Sequence, residues 1–576
     1  MSHTVQIEVN GRQVDAAQGE MLIAALRRVG VEVPTLCQYE GLSPAGACRV
    51  CVVEVEGQRN LVPACAFPVN AGMKVKTQTD RVVNARRMII ELLLADHPDD
   101  CLFCERNENC QLRELAGSFG IRHRRFTGQR GTYPVDSSGE SIVRDAEKCI
   151  KCGKCVRACD EIQNVACIDF IGRGSQTIVG TAFDEGINVS SCVNCGQCTT
   201  VCPTGALIAK SHIERVMSAL RDPNLHVVVQ HAPAVSVTLG EEFGFAPGVD
   251  VMGKMHAALR QMGFDAVFDT SFSADLTIME EASELIHRVK NGGVLPMFTS
   301  CSPGWIKYVE TFYPQNIPNL STCKSPQQML GAVIKSYYAE KKGLYPKNIY
   351  SVSVMPCTAK KFEASRPEMG RDGYQDVDAV LTTRELAQMI RRFNLDLNVH
   401  PEEADTPFGV RSSAGKIFGA TGGVMEAAVR SAYYFMTSTE LGDLKIEAVR
   451  GLEGIKEAHL DIADVKVGVA VVNGLGNAAK LLEQINAGER KDIHFVEVMT
   501  CPSGCVGGGG QPYGTDISKV QMRTQELYNI DETEVLRVSH TNSEVVQIYD
   551  EYLGKPNSHK AHELLHTHYQ QREVLT

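Results

Sequence analysis

The sequence predicts a multidomain chain with small α+β modules in front and a large α/β domain behind. Three observations carry this. Sixteen of the 21 cysteines stand before residue 203. From Leu225 onward, short Val-rich runs alternate with helical stretches, the pattern of an α/β domain with mixed sheets. A chain of 576 residues, at roughly 150 per domain, has room for about four domains.

Composition removes several classes of function. Lys and Arg number 58 against 69 Asp and Glu, a net charge of −11. Such a chain is a poor binder of nucleic-acid phosphates. It contains no run of ~18 apolar residues, so no membrane span is expected. The opening MSHTVQIEVNGRQVD shows neither a cationic stretch leading into an apolar one nor a twin-Arg signal, so a cytoplasmic location is expected. Cytoplasmic thiols are kept reduced, and clustered cysteines then read as metal ligands rather than disulfides.

Residues 1–80 read as small strands and turns. Val5, Ile7 and Val9 alternate with polar residues, Asn10-Gly11 signals a hairpin, and a helix over Met21 to Val29 stops at Gly30. The cysteines here are Cys37, Cys48, Cys51 and Cys65. One C-x2-C pair with flanking outer members is the way plant-type ferredoxins hold a 2Fe–2S cluster, which predicts a plant-ferredoxin-like β-grasp. A zinc ribbon would need two such pairs.

Residues 81–127 open with a helical stretch, RVVNARRMIIELLLA, and continue with His97, Cys101, Cys104 and Cys110. Three thiolates and an imidazole suit zinc or a 4Fe–4S cubane; the position between two iron–sulfur motifs favours the cubane in a small His/Cys3 domain. Residues 128–210 begin with a linker-like GQRGTYPVDSSGE and carry two C-x2-C-x2-C-x3-C runs. These are Cys149, Cys152, Cys155, Cys159 and Cys192, Cys195, Cys198, Cys202. In bacterial two-cluster ferredoxins the fourth Cys of each run ligates the other cluster. Cys202 should therefore join the first three, and Cys159 the second three. The front third is expected to be an electron wire of one 2Fe–2S and three 4Fe–4S clusters.

A second linker candidate lies around Arg221-Asp222-Pro223, and the α/β domain is placed at 211–515. Its remaining cysteines are Cys301, Cys323, Cys357, Cys501 and Cys505. Four of them stand in FTSCSPGW (298–305), MPCTAKKFE (355–363) and EVMTCPSGCVGGGGQP (497–512), each after an apolar strand. The carboxyl ends of strands form the ligand crevice of α/β domains. The four glycines after C-x3-C let the backbone pass close to a bulky inorganic group, and Lys360 places a positive charge near an anionic cofactor. Cys167 and Cys323 are left as ordinary buried thiols. Residues 516–576 read as a helical tail.

These three stretches resemble the signature motifs of the FeFe-hydrogenases. The order of the front cysteine groups is similar to the long, multi-cluster members, such as the catalytic subunits of clostridial or NAD(P)-linked bifurcating hydrogenases. The resemblance implies reversible reduction of protons to H2 at an H-cluster, a 4Fe–4S cubane bridged to a di-iron unit with CO, cyanide and an azadithiolate. It implies anaerobic hydrogen metabolism, ferredoxin or flavin- and NAD(P)-binding partner subunits, and maturation proteins that install the cluster. Residues 516–576 would be a small-subunit-like segment.

Carried over, the resemblance makes Cys357, Cys501 and Cys505 cubane ligands, with Cys505 the bridge. Lys360 would hold one cyanide through a charge-assisted hydrogen bond. Ala232 and Pro233 would line the other, and Met355 and Met499 would flank the di-iron unit. A proton path would run from Cys301 through Glu281, Ser321 and Glu284 to Arg288. Read without the family, Glu281 and Glu284 are acids on one helix face at the surface. The family has two adjacent cysteines in the first motif, a proton donor and then a cubane ligand. Here they read Cys301-Ser302. Either Cys301 donates the proton and Ser302 stands at the ligand position, or Cys301 ligates and Ser302 takes the proton role.

Two further patterns are discounted. VVNGLGNAA (471–479) fits G-x-G-x-x-A, yet no convincing acidic residue follows at the spacing of a dinucleotide site. HELLH (562–566) fits H-E-x-x-H, yet there is no third ligand or protease domain after it, and a helical tail wrapping the surface is expected. A purely electron-transferring subunit would lack the three back motifs. A non-catalytic relative serving iron–sulfur assembly would not need Lys360 and the full wire.

Overall fold

A computed structural model describes residues 3–128, 130–462 and 465–574. Of the sequence features above, Met1, Ser2 and Gln129 lie outside the described residues. The chain divides into two compact units. The first runs to Ile162 and adds Ala166–Ser190 and Val201–Ile208; the second holds Gln163–Val165, Ser191–Thr200 and everything from Ala209.

In the first unit the apolar alternation builds the strand Thr4–Val9, which inserts Ile7 and Val9 into a core. It pairs antiparallel with Arg12–Ala17 through a turn at Asn10 and Gly11, both at positive φ, as a two-residue hairpin requires. The five-stranded sheet has the order Arg12–Ala17, Thr4–Val9, Lys74–Lys76, Val52–Val55, Val62–Pro63. The helix Leu22–Arg28 buries Leu22, Ile23, Ala25 and Leu26. The 81–95 periodicity becomes the helix Asp80–Asp96, capped by the Thr79 hydroxyl and ending at His97.

The second unit has two four-stranded sheets. In one, Ala266–Asp269, His226–His231, Ile349–Met355 and Ala379–Thr382 lie in that order, all parallel. In the other, Met297–Phe298, Phe495–Met499 and Val465–Asn473 are parallel, and Ile455–Ile462 closes the edge antiparallel. The parallel strands read as continuous apolar runs because both faces are covered: Val227, Val228 and Val229 are all buried.

The 22-residue helix Thr270–Asn291 packs against Pro326–Val333, Ser413–Lys416 and Gly423–Thr437. Every residue from Thr270 to Ala282 is buried, so this part of the helix is enclosed on all sides. The C-terminal helices are Ile517–Thr533, Ser543–Ile548 and His559–Leu565. The last does not merely wrap the surface: Leu564, Leu565 and His566 are buried. Among the described residues no helix is long and apolar enough to cross a membrane.

Candidate active site

The loops that leave the carboxyl ends of both sheets line one cavity. Ala232-Pro233 follow His226–His231, Cys301-Ser302 follow Met297–Phe298, Cys357 follows Ile349–Met355, and Cys501 and Cys505 follow Phe495–Met499. The walls are otherwise apolar, with Met355, Phe418 and Met499 prominent. Two glycines have identifiable reasons. Gly504 sits at φ +73, and a Cβ on Gly508 would meet the Pro356 carbonyl oxygen at 2.2 Å. The glycine run thus lets the third loop pack onto the backbone of the second.

Burial pushes the Cys357, Cys501 and Cys505 thiols up, Cys505 to about 12, and Cys357 adds to the rise at the other two. Three mutually close thiols lining an apolar cavity are a donor set that fits an iron–sulfur cluster, whose positive irons would make thiolates of them. The cation of the cavity is Lys360. Its ammonium donates to Glu363 at 2.9 Å and to the Cys301 carbonyl at 3.1 Å. Ser325 and Gln327 in turn hold Glu363, at 2.9 and 3.0 Å. The donor set and the single ammonium fit an anionic cluster.

Glu281 lies in the fully enclosed part of the long helix and is not a surface acid. Burial raises it to about 8 and the Glu284 charge adds to this; the Ser321 hydroxyl and the Ser300 N–H pull it back down, but neither stands within ordinary hydrogen-bond length of its oxygens. Burial and then the Glu281 charge push the Cys301 thiol up. The outer half of the path is hydrogen-bonded. Ser321 donates to Glu284 at 2.9 Å, and Arg288 donates to Glu284 at 2.6 Å from one helical turn away. The steps from Cys301 to Glu281 and from Glu281 to Ser321 lack direct bonds. Ser302 is tied elsewhere, 2.7 Å from the Thr500 hydroxyl and accepting from the Thr500 N–H.

The front cysteines gather in groups. Cys37, Cys48, Cys51 and Cys65 are all buried, and Cys48 and Cys65 hold the Cys37 thiol below its ordinary value. Cys149, Cys152, Cys155 and Cys202 line one cavity, where burial raises Cys149 to about 12 and Cys152 to about 11. His97 is buried with Nδ1 unpartnered, as a ring nitrogen meant for a metal would be; Cys104 and Cys110 are half-buried and Cys101 is exposed. Cys159 belongs to the first unit and Cys192, Cys195 and Cys198 to the second. Cys323 is buried, whereas Cys167 is half-buried and lies 3.5 Å from Cys159.

Residues 225–509 match the family described as iron only hydrogenase large subunit, C-terminal domain, and residues 517–572 match iron hydrogenase small subunit. Residues 2–80 match a 2Fe-2S iron-sulfur cluster binding domain, 86–125 the NADH-ubiquinone oxidoreductase-G iron-sulfur binding region, and 148–206 a 4Fe-4S dicluster domain. The NADP-reducing hydrogenase subunit HndD of Solidesulfovibrio fructosivorans is 46% identical over 99% of both chains. Iron hydrogenase 1 of Clostridium pasteurianum is 44% identical over 98% of this chain and 99% of that one. This chain belongs to the FeFe-hydrogenase family. The solved FeFe-hydrogenase HydA1 from Chlamydomonas reinhardtii superposes with a TM-score of 0.57 at 45% identity, covering 63% of this chain and 99% of that one.

As a hydrogenase, the chain is an oxidoreductase acting on H2, with iron–sulfur domains feeding a catalytic domain. Three features of that domain escaped sequence reasoning. Glu363 as the partner of Lys360 was legible only as an i,i+3 spacing. Gln327, which steadies Glu363, carries no sequence signal. The segment Ser191–Thr200 belongs to the catalytic unit, where Gln197 bonds the Gly507 carbonyl at 3.2 Å and Thr358 bonds the Asn194 carbonyl at 2.7 Å.

Proposed function

We propose that the chain interconverts protons, electrons and H2 at an H-cluster held by Cys357, Cys501 and Cys505. When bound, that group supplies the redox chemistry at its irons. The observation that carries the reading is the meeting of those three thiols with Lys360 and Cys301 in one apolar cavity. Lys360, steadied by Glu363, holds an anionic ligand of the group. Ala232, Pro233, Met355 and Met499 exclude water around it.

Cys301 is the proton-relaying thiol. What supports this is its coupling to Glu281, the next acid on the way to Ser321, Glu284 and Arg288. Ser302 faces the ligand side, bonded to the residue that precedes Cys501. The fourth cubane position then falls to an oxygen rather than a thiolate.

Electrons pass through one 2Fe–2S cluster on Cys37, Cys48, Cys51 and Cys65 in a β-grasp domain, and three cubanes. These are held by the His97 group, by Cys149, Cys152, Cys155 and Cys202, and by Cys159, Cys192, Cys195 and Cys198. The hydrogen bonds of Gln197 to Gly507 and of Thr358 to Asn194 support the last of these as the donor to the cubane of the H-cluster. Full-length similarity to HndD, an NADP-reducing hydrogenase subunit, supports an NAD(P)-binding partner subunit; ferredoxin or a flavin-binding subunit is the alternative partner. Thiols that must stay reduced to bind iron call for a reducing compartment, the cytoplasm.

The test is infrared spectroscopy of the matured enzyme with hydrogen turnover assayed alongside. Bands of CO and cyanide with turnover are expected. Iron-loaded protein matured under the same conditions, with neither bands nor turnover, overturns the reading.

A further inference from the structure

Away from the cavity, one further set of metal-ligating side chains converges among the described residues. Glu284, Cys323 and His566 each offer a donor atom, and these atoms lie within 4.8 Å of one another. We propose that they form a site for a divalent cation of the zinc class. Thiolate, imidazole and carboxylate together are a borderline donor set that suits zinc over magnesium or calcium.

The geometry is close to what tetrahedral zinc requires. Cys323 Sγ stands 3.9 Å from Glu284 Oε2. Bonds of about 2.3 Å to sulfur and about 2.0 Å to oxygen put those two atoms about 3.5 Å apart, so a few tenths of an ångström closes the pair. Arg288 engages the other oxygen, Oε1, and leaves Oε2 turned toward Cys323. Ser321 and the Thr322 N–H also donate to Oε2, and the Ser321 hydroxyl would turn away on binding.

His566 is oriented as metal-bound histidines are. Its Nε2 lies 3.0 Å from the Glu280 carboxylate, which is fixed in turn by the Tyr549 hydroxyl and the Asn557 N–H. A carboxylate behind an imidazole sets its tautomer and strengthens it as a ligand. Nδ1 now meets the Thr322 hydroxyl at 2.8 Å, a contact a metal would replace. Cys323 and His566 are buried and Glu284 is half-buried, which gives the cation its entrance. Cys323 releases its proton to solvent on binding, so thiolate and carboxylate balance the two positive charges. Resting on the reading above, an occupied site takes Glu284 Oε2 from Ser321 and brakes the proton path.

The experiment adds zinc alone to the anaerobic holoenzyme, removes loose metal by desalting, and measures retained zinc, its X-ray absorption and turnover. About one zinc per chain is expected, with one sulfur near 2.3 Å and nitrogen or oxygen near 2.0–2.1 Å. Cys323→Ala and His566→Gln should each weaken retention at least tenfold, and Glu280→Gln about 10–100-fold. His562→Ala, which removes only the ring tilted against His566, should change nothing. Iron content of each variant checks its folding. No retained zinc, equal retention by the variants, or three sulfurs per zinc, which would report the His97 group, overturns the site. Zinc held with one sulfur and no loss of turnover upholds the site and overturns instead the place of Glu284 on the proton path.

Discussion

The front unit and the catalytic unit solve one problem, holding iron with thiols, at opposite ranges of sequence. Cys149, Cys152 and Cys155 fall within seven residues. A tight loop brings them together before any tertiary structure exists. Cys357 and Cys501 stand 144 residues apart and meet only because strands from two sheets end at the same cavity. Local sites are chelates written in spacing; the distant site is a property of the fold. Loss of tertiary structure should therefore cost the catalytic cavity its geometry first.

The largest effect should come from Cys301→Ala. A methyl group cannot relay a proton, and general acid–base steps contribute about 10²–10⁴-fold, so turnover should fall by that much. The CO and cyanide bands should stay, because the cluster ligands are elsewhere. Ser302→Ala should give the opposite pattern, a labile cubane with weakened bands. Lost bands in Cys301→Ala would return the thiol to the ligand set, and would place this loop's sulfur among the long-range ligands.

Lys360→Ala comes next. It removes a charge-assisted bond in a buried site and leaves Glu363 without its cation. A cost of about 2–3 kcal/mol corresponds to a loss of roughly 30–150-fold in holding the di-iron unit or in turnover. Signals of the front clusters should be untouched, since no local chelate depends on this lysine. Normal infrared bands with full turnover would remove Lys360 from the site.

How much could be read without coordinates follows the same division. The front groups were legible because ligand spacing is local chemistry. The strands His226–His231, Ile349–Met355, Val465–Asn473 and Phe495–Met499 were legible as apolar runs. Ala266–Asp269 was not, being four residues that lead directly into a helix. Read without the family, Glu281 looks like a surface acid, because an acid on a helix normally marks the wet face. The part of the helix up to Ala282 is enclosed on all sides, and its other buried acids are satisfied by residues far away in sequence. Asp275 takes Ser412, Ser539 and Asn542, and Glu280 takes Tyr549, Asn557 and His566. No periodicity records such partners.

Glu281 sharpens the comparison through pH. Its folded value of about 8 lies above the ordinary 4.5. The neutral carboxyl is the form the fold prefers. Its contribution to stability is complete below about pH 4.5 and is lost as pH rises through 8. Between pH 6 and pH 9 wild type should lose about 2–3 kcal/mol that Glu281→Gln keeps, seen as a steeper fall in Tm. Parallel Tm curves would mean that water reaches this carboxylate. The loss belongs to the catalytic unit alone, so bleaching of the front clusters should not follow the same pH course.

The smallest effect is expected at the one local site that departs from four thiolates. His97 closes the helix Asp80–Asp96 and brings a neutral ring to three cysteines. Burial lowers its pKa, so the ring stays uncharged and keeps a lone pair for a metal. A neutral ligand leaves the cluster one negative charge fewer than four thiolates would, which raises its reduction potential. His97→Cys keeps four ligands within the same short spacing, so the cubane should still assemble and the iron content should match wild type. The added charge should lower the midpoint potential of one cluster, read by redox titration under paramagnetic resonance. Turnover should change only modestly, since a local chelate can be retuned without moving any group in the distant cavity. Zinc in place of iron at this group, or a cluster lost in the variant, would show that even this local site takes its identity from the surrounding fold.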